Sequence, residues 1–325
     1  MGVTIEAAKT RRADKTARGA EAAGGYHRSW FPVALASEVT AGGKPIGRDV
    51  LGTRVVIYRD AAGRAVVQGA YCPHLGADLS VGEVIGGQIR CAYHHWRFDC
   101  AGACVDIPAG DRIPPGARIP TYPSAEAWGL VWLFNGGEPT FPVPGIPGVE
   151  ERDLVTETHY RGTRAVDPWV SVSNGVDFQH LRTLHGLSAV DPDAVAVGPH
   201  SLEYRIETPN FVQHGRITGV NVFAQHLSMA GEEVYMLFAG APIEHGRTMG
   251  FYAYGVRPDH TDGGPEAVPG RLGTLRGFVE RLLAEDAPVL DTIRFRPRTL
   301  VASDRHLARF LKYVRQFPRA VPPGA

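Results

Sequence analysis

Cys72-Pro73-His74-Leu75-Gly76 and Cys91-Ala92-Tyr93-His94-His95-Trp96 are the two segments on which the reading of this chain turns. Each offers one thiolate and one imidazole. That set suits a [2Fe–2S] cluster whose irons differ, one held by two cysteines and the other by two histidines. Zinc fingers use the same donor types but group C-x₂₋₄-C apart from H-x₃₋₅-H, whereas both loops here mix them. Loops of this kind need a rigid support. The flanking sequence supplies short β-rich runs at 55–58, 65–68, 88–91 and 129–134, bounded by Gly, Asp or Pro. Pro73 stiffens the first loop, Gly76 allows backbone N–H groups to approach the cluster sulfurs, and Trp96 can cover the cluster from water.

A second array follows about eighty residues on: Asn174-x₂-Asp177-x₂-His180-x₄-His185. Two neutral imidazoles with a carboxylate suit a mononuclear Fe(II) that keeps coordination positions open. On a helix Asp177 and His180 share a face, and Asp177 is placed to orient an imidazole. His185 stands five residues past His180, about 140° further round a regular helix. Both can grip one metal only if the helix ends or kinks between them, and Gly186 is a plausible C-terminal cap. The remaining histidines (His27, His159, His200, His214, His226, His245, His260 and His306) are given no metal role.

At 325 residues the chain has room for two domains with real cores. Thirty-four Lys and Arg balance thirty-four Asp and Glu, which argues against a nucleic-acid partner. No apolar run reaches the eighteen or so residues of a membrane span, so a soluble, cytoplasmic protein is expected. Residues 1–25 are rich in Ala, Gly and charge, with no secretory apolar segment and with Glu6 where a myristoylation signal wants Ser or Thr; they read as a disordered lead-in. The Pro/Gly-rich stretch 138–148 marks a boundary between a small antiparallel β domain, 26–145, and a second domain, 146–325. In the second, 200–208, 213–225, 233–240 and 248–256 read as consecutive antiparallel strands, and 170–185, 270–285 and 304–317 as helices, giving an α+β fold. Cys100 and Cys104 read as small buried thiols on a hairpin rather than a disulfide.

The two arrays together resemble the Rieske non-haem iron oxygenases, from Cys72-Pro73-His74-Leu75-Gly76 and from Cys91 through Trp96 to Phe98-Asp99-x-x-Gly102. The second loop departs from the family's usual C-P-Y-H-G-W, with Ala92 for Pro and His95 for Gly. The resemblance covers nearly all of the chain from Tyr26 to Phe317 but is specific only at the two motifs. It implies an all-β Rieske domain followed by a catalytic domain of the helix-grip type. It implies Cys72, His74, Cys91 and His94 as cluster ligands, and His180 and His185 as ligands of a mononuclear iron. The third iron ligand is then Asp286, with Asp291 as runner-up, in a late helix interrupted by Pro288. Asp177 would link the iron to the cluster histidine of a neighbouring subunit in a head-to-tail homotrimer, and Asn174 would sit close to the iron. Electrons would come from NAD(P)H through a separate ferredoxin or flavin reductase, because the chain carries no G-x-G-x-x-G fingerprint.

The expected activity is O₂-dependent hydroxylation of a fairly hydrophobic aromatic, steroid-like or natural-product molecule, with O- or N-demethylation and desaturation or cyclisation as variants of the same chemistry. No cationic cluster for a carboxylate substrate stands out in the sequence. Phe211, Phe223, Tyr235, Met236, Phe238, Phe251 and Tyr252 are candidates for an apolar substrate cavity, though each on its own is as readily ordinary core. A Rieske electron carrier without catalysis is the alternative of a different class, and it leaves the array at 174–185 without a purpose.

Overall fold

A computed structural model describes residues 24–186, 192, 194–209, 211–229, 232–261, 263–294 and 299–323. Most of the lead-in therefore lies outside the described residues. Gly25 is already packed: a Cβ there would strike the carbonyl of Ala320.

The first part is built from β1 (Tyr26–His27), β2 (Trp30–Leu35), β3 (Ile46–Val50), β4 (Thr53–Arg59), β5 (Ala65–Gly69), β6 (Glu83–Ile85), β7 (Gln88–Arg90), β8 (Arg97–Phe98), β9 (Cys104–Asp106), β10 (Thr121–Tyr122), β11 (Ser124–Ala127) and β12 (Leu130–Phe134). They form antiparallel sheets ordered β10-β5-β4-β3, β11-β12-β2 and β6-β7-β8-β9. Both Cys loops spring from this scaffold, one after β5 and one between β7 and β8. A separate apolar cluster of Val56, Tyr58, Leu79, Ile89 and Phe98 closes around Cys72 and Cys91. Cys100 and Cys104 are free thiols, as expected of hairpin residues.

The second part is a seven-stranded antiparallel sheet: β13 (Val155–Arg164), β14 (Ala196–Val197), β15 (Ser201–Thr208), β16 (Phe211–Thr218), β17 (Val222–Met229), β18 (Glu232–Glu244) and β19 (Arg247–Val256), in the order β13-β19-β18-β17-β16-β15-β14. The stretch 213–225, read as one strand, is two strands turning between Thr218 and Val222. Gly219, Val220, Asn221 and Val222 carry burial through the turn without an exposed break. Asn221 fixes that turn, donating to the carbonyls of Trp30 and Gly240 at 2.8 and 2.9 Å and accepting from Ser29 Oγ at 2.8 Å. Strand β13 was absent from the sequence reading because Thr156-Glu-Thr-His-Tyr-Arg161 carries no apolar alternation.

Among the described residues four helices complete this part: α1 (Pro168–Ser173), α2 (Phe178–Thr183), α3 (Val268–Leu290) and α4 (Arg305–Gln316). The expected helix over 170–185 is thus two short helices. A single turn of 3₁₀ helix, Asn174–Val176, follows α1, and Asp177 (φ −100°, ψ 82°) breaks the run before α2 begins. Pro288 does not interrupt α3. The helix continues through it to Leu290; the proline forgoes the one N–H bond that position 288 would make back along the helix, and only two residues of helix follow it.

Val268, Leu272, Leu275 and Val279 lay one face of α3 against Met236, Tyr252, Tyr254 and Val256 of the sheet. Its C-terminal end packs through Leu290 against Val166 and Val170, bringing α3 alongside α1. On α2, Phe178 anchors edge-on against Tyr204 and His306. The largest core cluster runs without a break from Trp30, Val55 and Trp132 to Ile217, Leu237 and Phe310. The 138–148 stretch is packed into it through Phe141 and Ile146 rather than hanging free, and Trp30 Nε1 donates to the Phe141 carbonyl at 2.8 Å.

Candidate iron sites

The two Cys loops are built alike. In the first, the Cys72 N–H donates to the Ala77 carbonyl (2.9 Å) and the Gly76 N–H to the Cys72 carbonyl (2.8 Å). In the second, the Cys91 N–H donates to the Trp96 carbonyl (2.9 Å) and the His95 N–H to the Cys91 carbonyl (3.1 Å). His95 therefore occupies the position that Gly76 holds in its own loop, and both are left-handed, at φ +58° and +79°. Space around Gly76 is open, so its glycine answers the backbone angle rather than a close approach. His95 adopts the same angle with a side chain, which histidine tolerates better than most residues.

Both cysteines are buried, whereas His74 and His94 are exposed at the tip. Their rings meet at 4.6 Å between centroids, and Trp96 lies flat on His74 at 4.4 Å. Burial pushes the Cys72 thiol up to about 11. The backbone N–H groups of His74 and Leu75 reach its sulfur and act the other way, while Cys91 beside it adds to the rise. The bare Cys72 thiol stays protonated at neutral pH, and bound metal would supply the charge that releases its proton. Among the described residues, the donors that converge within 4.8 Å of one another are His180, His185 and Asp286. Cys72, His74, Cys91 and His94, one thiolate and one imidazole from each loop, are a donor set that suits a two-iron cluster spanning the loops.

The second site joins α2 to α3. His180 lies in α2, and the helix ends at Thr183, so the chain swings His185 back towards His180; Gly186 at φ +64° completes the turn. The rings stand 5.1 Å apart at 78°. Asp286 arrives from α3, its Oδ1 3.2 Å from His185 Nε2. Each imidazole is held through its other nitrogen. His180 Nδ1 is bonded to the Asp177 carbonyl, and His185 Nδ1 to Glu285 Oε2 at 2.6 Å. Both Nε2 atoms are left to face the metal. Burial holds the His180 imidazole below its usual pKa, which favours the neutral form that a metal binds. Donor types, convergence and outer hydrogen bonds fit a mononuclear iron.

Asp177 does not orient His180 with its carboxylate, as the sequence reading had it. Its backbone carbonyl does so, while the carboxylate caps α2 by accepting the His180 backbone N–H at 3.1 Å. Asp291 is drawn off into an ion pair with Arg164 at 3.1 Å and is not among the converging donors. Glu285, passed over in the sequence, is the outer partner of His185; its place immediately before Asp286 was the only signal.

A cavity of about 100 Å³ opens beside the iron donors, between the sheet and the helices. Phe223, Phe238 and Phe251 line it along with Asn174. Tyr235, Met236 and Tyr252 are instead buried core, and Phe211 packs against it. Gly175 lets the 3₁₀ turn press on Phe223, since a Cβ would come within 2.6 Å of that ring. Arg161 and Arg164 also line the cavity, contrary to the expectation that no cationic group would mark it.

Comparison with known proteins agrees with this architecture. A Rieske [2Fe-2S] domain is matched over residues 29–123. The oxygenase subunit of 3-chlorobenzoate-3,4-dioxygenase from Comamonas testosteroni is 30% identical over 234 residues, 69% of this chain and 52% of its own length. Aminopyrrolnitrin oxygenase from Pseudomonas fluorescens is 36% identical over 49% of this chain and 46% of its own. The chain thus spans about half the length of these curated relatives. The QL mutant of NdmA from Pseudomonas putida CBB5, solved with theobromine, shares the fold with a TM-score of 0.74 at 19% identity, over 89% of this chain and 90% of that one. Dicamba monooxygenase does so at 0.70 and 21%, over 90% and 97%. The chain belongs to the Rieske non-haem iron oxygenase α subunits.

Proposed function

We propose that this chain is the catalytic component of an oxygenase system that hydroxylates a small, largely apolar molecule with O₂. Its electrons would come from NAD(P)H through a separate ferredoxin or flavin reductase, in the cytoplasm. The observation that carries this reading is the convergence of His180, His185 and Asp286 on the rim of an aromatic-lined cavity, in a chain that also bears the Rieske loops. When bound, iron at the first would supply O₂ activation and the cluster the single electrons it needs.

The chain's own residues have the remaining tasks. Glu285 and the Asp177 carbonyl hold the two imidazoles in one tautomer, Nδ1–H outward. Phe223, Phe238 and Phe251 exclude water and seat the substrate. His74 and His94 lie on an exposed tip, a position suited to passing electrons to another body. This supports a head-to-tail homotrimer in which one subunit's cluster serves the next subunit's iron, with Asp177 on the route.

Iron counting tests the proposal. Three irons per chain are expected, of which chelation removes one while the cluster's visible absorption persists. His185→Ala should lose that third iron and O₂ consumption and keep the absorption, and Asp291→Asn should keep all three. Two irons in the intact wild type would favour a bare electron carrier instead.

A further inference from the structure

Arg161 and Arg164 are three apart on β13, a spacing that sends side chains to opposite faces of a regular strand. Here both face the cavity. The cause is a bulge: Tyr160 pairs with Phe251 and Gly162 with Gly250, leaving Arg161 without a partner on β19, and Gly162 takes φ +94°. Bulges of this kind re-aim side chains beside functional sites. The two guanidinium groups then part company. Arg164 pairs with Asp291 at 3.1 Å. Arg161 has no ion pair among the described residues; one Nη2–H reaches the Leu283 carbonyl at 3.3 Å, and its buried Nε has no partner. Burial and the neighbouring Arg164 bring its pKa down to about 10, against the opposing pull of Asp286 and Asp291, neither of which it contacts in an ion pair, so it stays charged at neutral pH. An unpaired cation beside an apolar cavity is costly unless a ligand brings the opposite charge.

We propose that the substrate is a single-ring aromatic acid, whose ring lies among Phe223, Phe238 and Phe251 and whose carboxylate is bound by Arg161. This rests on the oxygenase reading and narrows it. A planar guanidinium fork suits a carboxylate. The cavity, about 100 Å³, is small beside the roughly 150 Å³ of one that takes up benzene, so it favours the smallest aromatic acid, a single ring, over a fused polycycle.

Calorimetric titration of the iron-loaded protein under nitrogen, with benzoate and its halo-, methoxy- and hydroxy-derivatives, each against the matching benzamide, tests this. At least one acid should bind tenfold or more tightly than its amide. Arg161→Gln should weaken that acid by roughly tenfold to a hundredfold, the range of a lost charge-assisted hydrogen bond, and leave the amide within twofold. An amide that binds as well as its acid, an equal loss for both in the variant, or no binding across the acids would overturn the proposal. Arg161→Met supplies a second check. Removing a buried cation that makes no ion pair should leave the ligand-free melting temperature at or above that of the wild type; a clear fall, with acid binding retained, would make Arg161 a structural prop. Iron content, measured on the same samples, reports the oxygenase reading separately: three irons with no acid preference defeats only the substrate assignment.

Discussion

Glu285 accepts a 2.6 Å hydrogen bond from one nitrogen of His185, while the adjacent residue, Asp286, stands 3.2 Å from the other. Two successive residues of α3 thus flank the same imidazole on both edges, one placed to share a metal with it and one as its outer support. Supports of this type are worth about tenfold to a hundredfold in metal affinity. Glu285→Ala should therefore release the mononuclear iron to a competing chelator at a correspondingly lower concentration, with cluster absorption unchanged. Iron retention equal to wild type would remove Glu285 from the site.

Asp177 separates two roles that a single alanine variant would confuse. Asn caps a helix about as well as Asp, and Ala loses about 1 kcal/mol. Asp177→Asn should keep the denaturation midpoint of the wild type and its iron, yet lose turnover if the carboxylate's charge serves electron transfer between subunits. Asp177→Ala should lose both. An Asn variant with full turnover would leave the carboxylate as a cap alone.

The matched positions of Gly76 and His95 predict opposite responses to substitution. Gly76→Ala should destabilise the holoprotein by about 1 kcal/mol, because an L residue is placed at positive φ. His95→Gly should be neutral or stabilising, the relief of strain offset by the freedom glycine gains in the unfolded chain. Denaturant midpoints of the two variants check this, and a large loss in His95→Gly would assign that ring a contact of its own.

Acid should loosen the join between the two ends of the described chain. His27 packs edge-on against Phe317, with its Nε2 buried and unpartnered. Burial, with Arg319 nearby, lowers its pKa to about 4. The unfolded chain takes up this proton near pH 6.5 and the folded one only near 4, so stability is complete above 6.5 and falls as pH drops towards 4. The loss should amount to roughly 2 kcal/mol after allowance for the ring's partial exposure. His27→Phe should flatten that part of the stability–pH curve; an unchanged slope would place the titrating group elsewhere.

The candidate cluster ligands and the two histidines of the second array stood out in the sequence because the chemistry they suit dictates residue type and spacing together. The end of α2 between His180 and His185 followed from the same demand, since no continuous helix brings both to one metal. The cationic wall of the cavity was hidden for the converse reason. Arg161 and Arg164 share a face only because β13 bulges, and a bulge leaves no periodic trace in Thr156-Glu-Thr-His-Tyr-Arg161. Pro288 misled because a proline in a helix's last turn reads in sequence like a stop, although few hydrogen bonds remain there to lose. Asp177 stood out in the sequence as a residue of the candidate site, but which of its oxygens meets the ring depends on a backbone break that side-chain spacing does not encode.

Strand β1 pairs with β20 (Arg319–Ala320), and the Asn135 side chain bonds to carbonyls of both, at Tyr26 and Ala320. Tyr122 likewise donates to the carbonyl of Pro323. A scission between the Rieske loops and the iron-binding half would strip β1 of its neighbour and bare Trp30 and Phe141 to solvent. Redox potentials are thus best recorded on the uncut polypeptide, since an excised fragment would report on a frayed body with a sticky edge.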